Sequence, residues 1–422
     1  FQAEDGIRDL VRSRGLGDVY KRQTYDIITA ADITGAFSDI VLPEPTTILS
    51  FDVNQLPGAV EVEANVESFK TVASSRVGRT VAQYLDRITP SAAGDLGEVI
   101  GTFQLLDESE FDDAFASLSP GLYDNSTRTM YDTTRRYTTT LLKRIHSVQQ
   151  MSTHTASKNN ILSSEGETLL AYNGSAASIG RLYAPAQQNQ PKKYGIWLDG
   201  FGQWGDRDED DGFTGYDYTV HGVTLGIDRM IRDRYIAGIS IGYSDTDVDV
   251  DRNQGDGDID TLYGSLYGSY YTRRGYIDAA LSYGNQDYYN KRRVVVGPIE
   301  REARSDHDGD MFSAFAEGGY TIDVNAWALQ PFASLHYLNL DEEGFTERGA
   351  DSVNLIVDAR ETESLVSELG LRFTRLYEVE KGTLIPEVSM AWSYDFDIDD
   401  RMITAALTGA PDSAFFNQGS AR

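Results

Sequence analysis

From Tyr194 onward, hydrophobic and polar residues alternate with a period of two. Over Tyr235–Tyr243 one face carries Tyr235, Ala237, Ile239, Ile241 and Tyr243, and the other Ile236, Gly238, Ser240 and Gly242. The pattern recurs with Trp327, Leu329, Pro331, Ala333, Leu335 and Tyr337 against Gln330, Ser334 and His336. It recurs again with Leu384, Pro386, Val388, Met390, Trp392 and Tyr394 against Glu387, Ser389 and Ser393. Period two marks a strand with unlike faces. These apolar faces end in aromatic rings on both sides, which a water-soluble sandwich rarely requires. Rings at both edges of an apolar band of roughly 25 Å suit a lipid-facing strand, because Tyr and Trp sit at headgroup level. Tyr235, Tyr243, Trp327, Tyr337, Trp392 and Tyr394 are therefore the predicted aromatic girdle.

Nine strands are predicted, near 194–205, 216–230, 233–247, 258–273, 275–290, 308–323, 326–340, 362–378 and 381–396. In the fourth, the pattern leaves open which face points outward. Short turns at Arg232-Asp233, Arg273–Gly275, Asp323–Asn325 and Val379–Gly382 interleave with long acidic loops at 206–215, 248–257, 291–307 and 341–361. Short periplasmic turns alternating with long external loops are the habit of an outer-membrane barrel. The predicted fold class is mainly β, a transmembrane antiparallel up-and-down β-barrel at 194–422. Bacterial single-chain barrels have an even strand number, so at least one return strand is expected beyond Arg422.

Upstream the signal differs. Residues 24–66 hold β-branched runs (Tyr25–Thr29, Thr47–Phe51, Val60–Glu63) between Gly35, Pro43, Pro45 and Pro57-Gly58, which predicts a small β element. From Ser68 the period turns helical: Phe69, Val72, Val77, Val81, Leu85 and Ile88 share a face, and Thr89-Pro90 ends that helix. Shorter helices follow over Leu96–Leu106 and Glu110–Leu118, then a long one from Tyr123 to Gln150, so 67–150 is a helical region. Residues 151–193, rich in Ser, Asn, Gln and Ala, read as a linker. Phe1–Gln23 shows no period and no signal-peptide pattern; it resembles translated adapter read-through, an artefact outside the fold.

Composition narrows the chemistry. The chain of 422 residues has 37 Lys+Arg against 66 Asp+Glu, so its formal net charge is 37 − 66 = −29. That balance repels phosphate backbones, and no nucleic acid partner is expected. The absence of Cys removes disulfides, thiolate metal sites and cysteine nucleophiles. Mean hydropathy is −0.39, and no apolar run approaches the ~20 residues of a spanning helix. Gly200–Gly205 matches the dinucleotide string GxGxxG, but an acidic loop follows where a helix N-terminus is needed. Ser240 sits in a GxSxG string that reads as mid-strand, not as a sharp turn into a helix. Asp245, Asp247, Asp249 and Asp251 alternate like a calcium loop, yet Arg252 occupies the position that requires Gly, so a solvated loop is expected. The five His (146, 154, 221, 307 and 336) have no ligand spacing, so neither metal nor cofactor is expected.

The order of these segments resembles the C-terminal part of a type V autotransporter. Trp197–Trp204, the acidic loop, Gly215-Tyr216-Asp217 and Gly222–Asp228 resemble the first hairpin of that family's β-domain, and Gly238–Ser244 its third strand. Ser119–Tyr123 resembles the start of the helix before the linker. Tyr25–Thr29 and Ile33–Phe37 resemble the tail of a β-solenoid passenger. The resemblance implies a twelve-stranded barrel ending in an aromatic residue, so three strands and that signal are expected beyond Arg422, and the barrel would stay open without them. It also implies an outer-membrane translocator without catalysis of its own, with a helix in the lumen and the passenger at the cell surface of a Gram-negative bacterium. The implied partners are outer-membrane lipid, its own passenger, the barrel assembly machinery and periplasmic chaperones. Alternatives are a phospholipase-like barrel enzyme, or a surface enzyme or adhesin whose active part lies in the passenger.

Charge gives the lumen a candidate site. The long helix carries Arg128, Arg135, Arg136, Lys143 and Arg144, and the inward strand faces supply Asp278, Glu317, Glu368 and Glu387. A basic helix in a carboxylate-lined pore would satisfy both at reduced dielectric; the alternative is that each charge faces water. Asn159-Asn160 resembles the asparagine pair at which some autotransporters cut themselves, set against an ordinary polar linker.

Overall fold

The computed structural model describes residues 22–155 and 194–419, apart from 397–400 and a few single loop or turn positions. Strands β1 (Arg22–Thr29), β2 (Leu49–Gln55) and β3 (Ala59–Val66) form a small sheet in the order β1-β3-β2. Both pairings are antiparallel, whereas solenoid rungs pair in parallel. The sequence places the strands correctly, but the tight Pro57-Gly58 turn folds β2 back on β3. β1 also starts at Arg22, inside the segment set aside as foreign.

Helices α1 (Arg76–Ile88), α2 (Gly94–Phe103) and α3 (Phe111–Leu118) follow, then α4 (Gly121–Thr155). Ser75 caps α1 by accepting from Gly78 N at 2.9 Å, which satisfies one of the free N–H groups of a first turn. α4 runs 35 residues, about 52 Å at 1.5 Å per residue, longer than a bilayer core is thick. It extends to Thr155, five residues into the predicted linker.

The long strands are β4 (Tyr194–Arg207), β5 (Tyr216–Ile231), β6 (Tyr235–Val250), β7 (Gly255–Tyr271), β8 (Gly275–Val296) and β9 (Ile299–Tyr320). After the short β10 (Ile322–Val324) come β11 (Trp327–Glu342), β12 (Phe345–Thr346), β13 (Leu355–Val357) and β14 (Arg360–Arg375). β15 (Tyr377–Val379) and β16 (Gly382–Leu384) form a turn hairpin before β17 (Glu387–Asp395), and β18 (Met402–Leu407) and β19 (Phe415–Gln418) close the series. Nine long strands, β4 to β17, make one curled antiparallel sheet in chain order. Their number and positions match the sequence reading.

Two predicted loops are strand instead. β8 and β9 stay paired up to Val296↔Ile299, so 291–307 is a tall hairpin turning at Gly297, whose φ of 53° suits glycine. β6 and β7 stay paired up to Val250↔Gly255, which makes most of 248–257 strand. Asp245, Asp247 and Asp249 therefore sit on β6, each opposite another aspartate of β7.

The outward face is apolar where the alternation predicts. Ile239, Leu266, Leu281 and Trp392 are all exposed, and Tyr235 stacks near Tyr270 with ring centroids 5.0 Å apart. Register settles the fourth strand: Leu262, Leu266 and Tyr270 point out, while Tyr263, Tyr267 and Tyr271 point in. From Tyr235 to Tyr243 the strand climbs eight residues, about 27 Å at 3.4 Å each, or roughly 20 Å along a barrel axis tilted by about 40°.

The other face closes on α4. Inward aromatics lie over glycines of the next strand, Trp197 over Gly226 and Tyr267 over Gly238, where a Cβ would collide with the ring. A second apolar core sits beyond the strands' outer ends. There Leu85, Phe103, Phe111 and Phe115 of α1–α3 pack against Val294, Val296, Leu355 and Leu407. Because β12, β13, β18 and β19 form one four-stranded sheet in this core, the predicted loop 341–361 is an ordered part of a cap.

Candidate functional site

α4 is buried on nearly all sides between Leu122 and Val148, unlike a surface helix with one apolar stripe. Its middle is rich in threonine, a poor helix former whose hydroxyl can serve the helix's own backbone. Thr127, Thr129, Thr133 and Thr139 donate to the carbonyl oxygens four residues back at 2.8–2.9 Å. Of these, Thr127 also meets the wall, at Glu342 and Arg360. Tyr137 supplies the main mid-lumen contact: it stacks on Tyr263 with centroids 4.2 Å apart and lies 2.8 Å from Ser265 Oγ, over Gly242.

The two ends of α4 are pinned by charge. Toward the short-turn end, Arg144 makes a forked pair with Asp228 of β5 at 2.6 and 3.0 Å. His146 Nε2 lies 3.0 Å from Asp278 Oδ2, and Gln149 donates to Asp278 Oδ1 at 2.8 Å. Toward the cap, Arg360 donates to Thr127 at 2.6 Å and to Tyr123 O at 2.9 Å while pairing with Glu342 at 2.7 Å. Tyr123 donates to Glu347 at 2.6 Å, and Glu347 holds the fully buried Arg292 at 2.6 and 2.8 Å.

The predicted charges are thus in the lumen, with a changed partner list. Arg135 reaches Glu368 at 3.7 Å. Asp278 is met by His146 and Gln149. Glu317 is met by Tyr276 and by Arg372 of β14 at 3.5 Å, and Arg372 also stands 3.1 Å from Glu387. Arg128 is buried beside Asp124 and Arg401, Arg136 is buried, and Lys143 is half-buried. Asp228 escaped the reading although its inward parity with Thr224 and Gly226 was available. His146 escaped because ligand spacing is a local rule, and its partners come from two strands. His146, Asp278 and Glu317, which local spacing does not connect, place ligand-type atoms within 4.8 Å of one another. Ser240 faces the lumen on β6, 3.4 Å from the Tyr137 hydroxyl, and Gly200–Gly205 is strand, so neither motif has its chemistry. Asn159 and Asn160 lie outside the described residues.

The cap is fastened by a further pair. Asp95 at the start of α2 takes a forked contact from Arg301 of β9 at 2.6 and 2.8 Å, plus Ser352 N at 3.1 Å. Arg301 holds the Asp95 carboxyl well below the usual carboxylate range. A depressed folded value means the contribution is complete above the unfolded value near 3.8 and is lost as pH falls through the folded one. The protection of α2 amides, taken relative to the unfolded exchange rate at each pH, should therefore be flat from neutral pH down to that range and fall below it. An Asp95→Asn variant should show lower protection already at neutral pH and lose the acid response.

The sequence profile described as "Autotransporter beta-domain" matches residues 196–422, more than half of the chain. The chain belongs to the autotransporter family. This autotransporter is 28% identical over 228 residues to "Esterase EstA" of Pseudomonas aeruginosa, covering 53% of this chain and 35% of that protein. It is 26% identical over 202 residues to "Extracellular serine protease" of Serratia marcescens, covering 48% and 19%. The chain thus spans about a third or less of the length of these relatives. Among solved structures, the translocator domain of autotransporter NalP from Neisseria meningitidis aligns at 17% identity over 51% of this chain and 75% of that one, with a TM-score of 0.41. The beta domain of the Bordetella autotransporter BrkA aligns at 22% identity over 51% and 84%, with a TM-score of 0.39. Family membership makes this chain an outer-membrane translocator of a Gram-negative bacterium, its barrel in the membrane.

Proposed function

We propose that this autotransporter anchors its own N-terminal passenger through a plugged barrel and takes no catalytic part itself. The carrying observation is that α4 runs unbroken from the cap through the lumen, held at one end by the buried Arg144–Asp228 pair and at the other by Arg360, which is paired with Glu342 and donates to Thr127 and to the Tyr123 carbonyl. A continuous helix in the pore tethers whatever precedes residue 67 to the membrane, and a cap docked on the external hairpins closes the mouth behind it. The barrel assembly machinery and periplasmic chaperones are the proposed assembly partners, since an outward apolar face has to be shielded on its way through the periplasm. In intact cells expressing the full-length protein, externally added protease should cut between residues 24 and 66 and spare α4. Protection of 24–66 until the outer membrane is permeabilised would refute surface display.

A barrel-enzyme reading has one observation in its favour, a buried Ser313–His336 contact of 2.8 Å in the wall. A nucleophile pair also needs a group that orients the imidazole. Among the described residues no carboxylate contacts His336, and Ser313 is 1% exposed, so the pair reads as wall packing. Esterase and protease activities belong to the named relatives, and an activity in this protein would lie in its passenger.

A further inference from the structure

The register of β8 and β9 sets Asp278 directly opposite Glu317, and both are buried, at 0% and 6% exposure. Like charges at opposed positions destabilise a sheet, and burial deepens the cost. The group placed between them is the imidazole of His146 on α4, whose Nε2 is 3.0 Å from Asp278 Oδ2 and 3.8 Å from Glu317 Oε1. Arg372 also faces Glu317 at 3.5 Å, but it is shared with Glu387 at 3.1 Å. Gln149 and Ser269 complete the polar surroundings of Asp278, with Gln149 Nε2 2.8 Å from Asp278 Oδ1 and 2.7 Å from Ser269 Oγ. Tyr276 donates to Glu317.

One imidazole nitrogen and two carboxylate oxygens are a donor set for zinc-type cations. At metal–ligand bonds of about 2.0–2.2 Å, tetrahedral neighbours stand about 3.4 Å apart. The two distances from His146 Nε2 lie on either side of that value. Gln149 holds Asp278 by Oδ1, leaving Oδ2 toward His146, the role outer hydrogen bonds play around metal ligands, while Tyr276 donates to Oε1 of Glu317, the oxygen that faces His146. We propose that His146, Asp278 and Glu317 bind one zinc-type divalent cation, which fastens α4 to the barrel wall. The cation would neutralise the opposed carboxylates with the imidazole in its neutral form, and the ligands would come from three elements that only the plugged state brings together.

The test is titration of the full chain, folded in detergent micelles near neutral pH, with zinc chloride and with cobalt(II) chloride as a spectroscopic probe. The expected result is one saturable site per chain, a visible absorption of four-coordinate cobalt, and at least tenfold weaker zinc binding in both Asp278→Asn and His146→Gln. Both variants keep side-chain size and hydrogen bonding, and circular dichroism confirms that each is folded. Absence of a saturable site, or zinc affinity in the two folded variants equal to that of the unsubstituted chain, would overturn the proposal.

Discussion

Replacing Glu347 by alanine is expected to destabilise the cap by about 3–5 kcal/mol, the usual result of stripping one partner from a buried ion pair. Glu347 is fully buried and accepts from Arg292 at two points, from Tyr123 at 2.6 Å and from Leu355 N at 2.6 Å. Arg292 itself reaches back to the Ser117 and Val353 carbonyls. One carboxylate therefore ties α3, α4, β8 and the segment before β13 together, and its loss leaves a guanidinium in an apolar core. Urea unfolding of the cap, followed by amide exchange over 76–118, measures the effect. The double change Arg292→Met with Glu347→Leu should cost far less than Glu347→Ala alone, because no charge is left unpaired. A single-variant cost below about 1 kcal/mol, the range of exposed pairs, would mean that water reaches the pair.

Arginine at Ile239 or Leu266 should cost about 2–4 kcal/mol of folding stability in a lipid bilayer, the penalty for a cation on the lipid face near the midplane. The two residues are cross-strand partners on β6 and β7, midway between the Tyr235/Tyr270 ring pair and Tyr243. The control lies on the same strand: Asp258 faces outward beyond the girdle and opposite Asp247. Arginine there should cost nothing measurable, since it leaves the apolar band and replaces one of two opposed carboxylates. Refolding midpoints in lipid vesicles would separate the three variants. Equal penalties at 258 and 266 would be incompatible with an apolar band bounded by the rings.

The barrel strands were legible because a lipid-facing strand carries its environment in its own alternation. Tyr235 to Tyr243 or Trp327 to Tyr337 needs no partner to be read, and neither does the helical period of α1. The lumenal charges were legible only as a list. Arg144 could be placed in the lumen from its helix, yet its partner depended on how deep that helix sits relative to β5. The loops misled for a similar reason: charged residues at 291–307 looked solvated, but β8 and β9 remain paired there and present Val294 and Val296 to the cap.

By itself the sequence determined the outward surface: nine alternating strands, their aromatic edges, a basic helix ahead of them and a chain too acidic for nucleic acid. Those features depend on each segment meeting lipid or water alone, so local period and composition suffice. Only the tertiary structure decided the inward surface. Opposed Asp278 and Glu317, the His146 between them, and the Arg292–Glu347 bond under the cap join residues from 39 to 171 positions apart. Strand register and helix depth set those meetings, and both are properties of the assembled barrel.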